Sequence, residues 1–197
     1  MTGITPSQTV GPFFAYGLTP NGQYAWPDSF TNDLTVAGSA GETIRIIGHV
    51  FDGDGVPVPD AMLEIWQADA QGRYQTPQAD HALQNAAFTG FGRCGADAEG
   101  GFSFTTIKPG IVPDPDNVPQ APHILLAIFA RGMLLHNYSR IYFSDESARN
   151  AHDPVLAQVP EARRATLIAA RDEQDGAVTY RFDIRLQGEN ETVFFAL

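Results

Sequence analysis

One cysteine, Cys94, is all the thiol this chain of 197 residues carries. No intrachain disulfide can form, so the fold rests on a buried core and suits a compartment that keeps thiols reduced. Positive charge is scarce too: 12 Lys and Arg stand against 23 Asp and Glu, a net charge of -11. Such a surface repels nucleic acid and anionic membrane, and neither is an expected partner. An anionic substrate would need a local cation to hold it. Nowhere do eighteen apolar residues run together, which argues against a spanning helix. The stretch from Met1 to Gln8 has no basic patch and no apolar run, so a secretory leader is not expected and a cytoplasmic location is.

What is present is apolar residue (43%) in short stretches, punctuated by 19 Gly and 14 Pro. That is enough hydrocarbon for one well-buried domain. Period-two alternation and apolar runs predict strands at Thr43–Phe51, Ala61–Trp66, Gly101–Ile107, His123–Phe129, Leu134–Phe143 and Val178–Leu186. Asp52-Gly-Asp-Gly55 reads as a turn. The expected class is all-β, a β-sandwich of mixed or antiparallel strands spanning residues 41–197. One short helix region is expected near 153–171, opening at Asp153-Pro154 and helical from Glu161 to Arg171. Residues 1–40 are rich in Pro, Gly and aromatics without periodicity, and are expected to form an extended arm whose Phe13, Phe14, Tyr16, Tyr24 and Trp26 pack on a partner chain.

Several motifs stand out. They are Gly53-Asp-Gly-Val-Pro-Val-Pro-Asp60, Glu64-Ile-Trp-Gln-Ala-Asp69, Gly72-Arg-Tyr74, Thr106-Ile-Lys-Pro-Gly110 and Ala121-Pro-His-Ile-Leu125. Together they resemble the core of the intradiol ring-cleaving dioxygenases. That resemblance implies a non-haem ferric ion held by two tyrosines and two histidines. Tyr74 and His123 stand where two of the ligands belong, but Val112 and Leu125 occupy the other two positions. A hard ferric ion takes oxygen and nitrogen donors, and neither hydrocarbon side chain offers one. Nearby, the family's arginine and glutamine are replaced by Gln120 and Arg140, an inversion of the local charge.

These departures, with Thr5-Pro-Ser-Gln-Thr9-Val-Gly-Pro12-Phe13-Phe, Phe91-Gly-Arg93, Phe129-Ala-Arg131-Gly and Gln187-Gly-Glu-Asn-Glu-Thr192, are similar to the metal-free chains of the family's two-chain members. The resemblance implies that Fe(III) is bound by a homologous beta chain and none by this one. It also implies a multi-copy hetero-oligomer acting on 3,4-dihydroxybenzoate (protocatechuate), in which this chain walls the substrate pocket with Arg131, Thr9, Pro12 and Phe13. The family more often has tyrosine at the Phe13 position. Arg131 also stands out on its own residues, as a cation at the end of an apolar strand in an acidic chain. Two other readings remain at this point: a self-sufficient metalloenzyme of the same fold, and a non-catalytic binding module resembling transthyretin. Read as residues alone, Tyr74 and His123 are expected to be a rim residue and a hydrogen-bonded core or interface histidine.

Overall fold

Alternation of apolar and polar side chains places most of the strands. The structure, a computed structural model, describes residues 17–19, 31–75, 88–174 and 176–196. Strands β1 (Thr43–Phe51), β4 (Gly101–Ile107) and β7 (His123–Phe129) have the bounds predicted from the sequence. The second, β2, runs from Met62 to Gln67, and β8 covers only Asn137–Phe143 because the preceding residues form turns. Two short strands, β5 (Val112–Pro113) and β6 (Pro119–Gln120), pair with each other apart from the rest.

The predicted strand over Val178–Leu186 is broken in two, β10 (Ala177–Arg181) and β11 (Ile184–Arg185). Both pair in parallel with β1, at Ile44–Ile47 and at Val50–Phe51. Between them the chain passes hard against Gly48, where an added Cβ would lie 1.8 Å from the Phe182 carbonyl oxygen. Only glycine admits that crossing.

The helix expected through Arg171 stops early. It spans Glu161–Arg164, a tight 3-10 turn follows at Ala165–Leu167, and Ile168–Gln174 is strand β9. Tertiary pairing decides this: Tyr142 and Phe143 of β8 pair with Ile168 and Ala169, and Leu167 is fully buried. Helix propensity differs by only tenths of a kcal/mol per residue between such side chains, too little to resist that burial. Arg171 therefore projects from a strand, while Arg163 and Arg164 belong to the short helix. Strand β3 (Phe91–Gly95) was not expected, because its Gly-rich sequence shows no alternation.

The main sheet has nine strands in the order β11-β1-β10-β9-β8-β7-β2-β3, with β4 on the other edge of β1. Only two residue pairs join β8 to β9, so the sheet divides there into two leaves. Ile44, Ile46, Phe104 and Tyr180 from one leaf and Leu63, Ile65, Leu126 and Ile141 from the other share one buried cluster. The architecture is thus an all-β sandwich, as the class predicted. Asp33 bridges to Thr105 and Leu34 is buried in this same core, so residues 31–34 lie on the chain's own sheet. Among the described residues no helix is long and apolar enough to cross a membrane.

Candidate functional site: a rebuilt metal pocket

Two glycines bring the Tyr74 loop onto the segment that carries Val112. Gly72 has φ +77°, and a Cβ there would sit 1.8 Å from the Ile111 carbonyl oxygen. At Gly110 a Cβ would meet the Ala70 carbonyl at 2.5 Å. Asp69 organises the loop. Its Oδ1 accepts from the amides of Gln71 (2.9 Å) and Arg73 (3.0 Å), and its carbonyl accepts from Gly110 at 2.9 Å. Gln67, at the end of β2, accepts from Thr106 Oγ1 at 2.8 Å and donates to the Ile107 carbonyl at 2.8 Å. The Glu64–Asp69 and Thr106–Gly110 motifs thus tie the two leaves together where the site lies.

Tyr74 rests its ring on Trp66, centroids 4.9 Å apart. Burial raises its phenol pKa, against the opposing pull of the Arg140 charge. His123, 2% exposed, opens β7, and its Nδ1 lies 2.8 Å from the Ala121 carbonyl, so that nitrogen carries the proton. Burial, helped by Arg140, pushes its pKa down to about 4. Val112 is buried and pairs with Gln120, and Leu125 pairs with Arg140 across β7 and β8. The four positions that the resemblance assigns to iron ligands therefore gather around Arg140, and so does Gln120.

Gln120 and Arg140, singled out together in the sequence, are partners. Arg140 Nη1 donates to Gln120 Oε1 at 2.8 Å and lies 3.3 Å from the Tyr142 hydroxyl. Tyr142 donates to Asp153 Oδ1 at 3.0 Å. Asp153, fully buried, also accepts from the Leu156 amide (2.8 Å) and the Val155 amide (3.0 Å), and its Oδ2 takes the Ala121 amide at 2.8 Å. A satisfied polar network of this kind locks its members in place. Sequence reasoning named Asp153 only as the start of a helix region and did not single out Tyr142. The Asp-Pro-Val-Leu run was the one available signal, since a carboxylate there can accept from amides two and three residues on.

These residues do not fit a ferric ion. Val112 and Leu125 have no donor atoms, the His123 ring offers at most Nε2, and the Arg140 guanidinium would repel a cation placed between them. Among the described residues no group of three or more His, Cys, Asp or Glu side chains could hold a metal.

Arg131 belongs to a different part of the molecule. It follows β7 at the end opposite His123, beyond six strand steps that amount to about 20 Å. Its side chain is 60% exposed and its Nε forms an ion pair with Asp60. Three and four residues on, Leu134 and Leu135 are 63% and 70% exposed. Thr9, Pro12 and Phe13 lie outside the described residues.

A family model described as dioxygenase matches residues 23–188. The protocatechuate 3,4-dioxygenase alpha chain of Burkholderia cepacia is 50% identical over 97% of this chain and 96% of its own length. The chain belongs to the intradiol dioxygenase family. Within that family, the protocatechuate 3,4-dioxygenase beta chain of Burkholderia cepacia is 37% identical over 77% of this chain and 67% of its own. Among solved intradiol folds, the 3-chlorocatechol 1,2-dioxygenase of Rhodococcus opacus 1CP matches with a TM-score of 0.63 at 22% identity, over 78% of this chain and 63% of that one. That likeness speaks to the fold alone. The sandwich is the family's, and at the centre of the site stands an arginine, Arg140.

Proposed function

We propose that this chain is the iron-free alpha subunit of a protocatechuate 3,4-dioxygenase. The carrying observation is half identity along nearly the whole length to such an alpha chain, in a chain whose former ligand positions include Val112 and Leu125. The reaction cleaves 3,4-dihydroxybenzoate between its two hydroxyl-bearing carbons. Both atoms of dioxygen enter the product, 3-carboxy-cis,cis-muconate. Fe(III), held by a homologous beta chain in a multi-copy cytoplasmic hetero-oligomer, supplies the activation of substrate and oxygen. This chain's own residues bind and orient.

Arg131 is the residue to which we assign the substrate carboxylate. In a chain of net charge -11 a carboxylate needs a local cation, and a guanidinium grips it with two parallel donors. The exposed Leu134 and Leu135 beside it suit a surface that a partner covers. Asp60 pairs with the Nε edge of Arg131, and in this reading the terminal nitrogens are the ones that meet the carboxylate. In this reading Thr9, Pro12 and Phe13 of the N-terminal arm complete the wall, and Phe13 contributes ring surface without a hydroxyl.

Iron content and visible absorbance test the assignment, measured on this chain alone and then co-expressed with the beta chain. A colourless chain and a red, active complex are expected, the colour arising from tyrosinate-to-iron charge transfer. Stoichiometric iron in this chain purified alone would refute it and return the self-sufficient metalloenzyme to favour.

A further inference from the structure

The outer face of β2, β3, β7 and β8 carries a half-open cavity of about 660 Å3 that the proposed function leaves unused. Its size lies within the range of small-ligand pockets. Two rows of cross-strand neighbours form the floor. Phe91, Trp66, Leu125 and Arg140 make one, and Glu64, Ala127 and Tyr138 the other. Phe195 and Val155 stand at its margin. Trp66 and Phe91 are 41% and 38% exposed, unusual for aromatic rings on a sheet face unless something covers them.

One acid and one cation line this apolar space, and they are not equivalent. Glu64 is neutralised by Arg93, whose Nε donates to its Oε1 at 2.7 Å. Arg140 engages only Nη1, toward Gln120 and Tyr142, and its Nε and Nη2 have no partner among the described residues. Asp153 directs its two oxygens to four donors of its own. The cavity thus offers flat aromatic surface and one guanidinium edge with unused donors, anchored from behind by Gln120. A planar ring packs well against Trp66, Phe91 and Tyr138, and a carboxylate matches the planar donor edge of the guanidinium.

We propose that this cavity is a metal-free binding site for a small aromatic carboxylate, with the ring between Trp66, Phe91 and Tyr138 and the carboxylate on the free edge of Arg140. The site needs only this chain, so it stands or falls separately from the subunit assignment above.

The test is a calorimetric titration of the iron-free full chain with 4-hydroxybenzoate, followed in parallel by Trp66 emission in a Trp26→Phe background, since the chain has two tryptophans. One site per chain is expected, with the emission following the calorimetric isotherm. The neutral 4-hydroxybenzamide, nearly the same shape, is expected to bind at least about tenfold more weakly, and so is the acid to Arg140→Gln. Ala127→Leu fills the floor without touching the Arg140 hydrogen bonds and is expected to weaken the acid and the amide alike. Absence of binding at millimolar acid would overturn the proposal, as would equal affinity for acid and amide. Unchanged affinity in Ala127→Leu would place the ligand elsewhere and overturn it too. Should Arg140→Gln fail to fold, the acid–amide comparison on the wild-type chain still decides. Iron content and turnover of the co-expressed assembly, which test the subunit assignment, play no part in this result.

Discussion

Acid is expected to weaken this chain through His123 in particular. The imidazole is 2% exposed, donates from Nδ1 to the Ala121 carbonyl and faces the Arg140 guanidinium, with Asp153 the nearby acid. Its folded pKa of about 4 lies below the ordinary 6.5. The unfolded chain therefore binds a proton that the folded chain refuses. Stability from this residue is present above pH 6.5 and is lost as pH falls toward 4. Between pH 7 and pH 5 the linkage amounts to about 2 kcal/mol. Carboxylates add their own acid sensitivity, so the effect is read as a difference. Urea unfolding of the wild type and of His123→Gln, each at pH 7, 6 and 5, isolates it, because glutamine does not titrate and can still donate to Ala121. The wild type is expected to lose about 2 kcal/mol more than the variant over that interval. Equal losses, or an NMR titration midpoint for the His123 ring near 6.5, would refute the reasoning.

Arg131→Ala in the assembled enzyme is expected to lower kcat/KM for protocatechuate by about tenfold or more while iron content stays unchanged, and steady-state kinetics with iron analysis checks both. Gly72→Ala must move either its φ of +77° or the Ile111 carbonyl, and is expected to cost about 3 kcal/mol by urea midpoints. Asp153→Asn turns an NH2 group toward an amide that now donates to a carboxylate, at a cost of about 2–3 kcal/mol. Tyr142→Phe removes one donor to that carboxylate and is expected to cost about 1 kcal/mol, with the double variant costing less than the sum.

Much of the fold was legible because strand burial imposes a period of two on the sequence. Thr43–Phe51, Gly101–Ile107 and His123–Phe129 carry that pattern or an unbroken apolar run, and each is a strand with those bounds. Where local pattern and tertiary contact disagreed, contact prevailed. Residues 165–171 look helical by composition, yet Ile168 and Ala169 pair with β8, and a lone propensity cannot outweigh a buried ladder. Phe91–Gly95 shows no alternation and becomes a strand only because the edge of β2 is there to pair with it.

The site divides the same way. The identity of its side chains was enough to decide that Val112 and Leu125 cannot ligate iron, since donor atoms are a property of the residue and need no coordinates. The amide at position 120 and the guanidinium at position 140 were equally plain. Only the tertiary structure could decide that these two residues meet. They lie twenty positions apart on different strands, and it is the β7–β8 register, with the pairing of Val112 to Gln120, that brings guanidinium and amide to 2.8 Å. The same is true of the aromatic cavity, whose floor exists because Phe91, Trp66, Leu125 and Arg140 fall in one row across four strands. Composition and motif select the chemistry each residue offers. Register, a property of strand pairing over long sequence separations, selects which of those chemistries face one another.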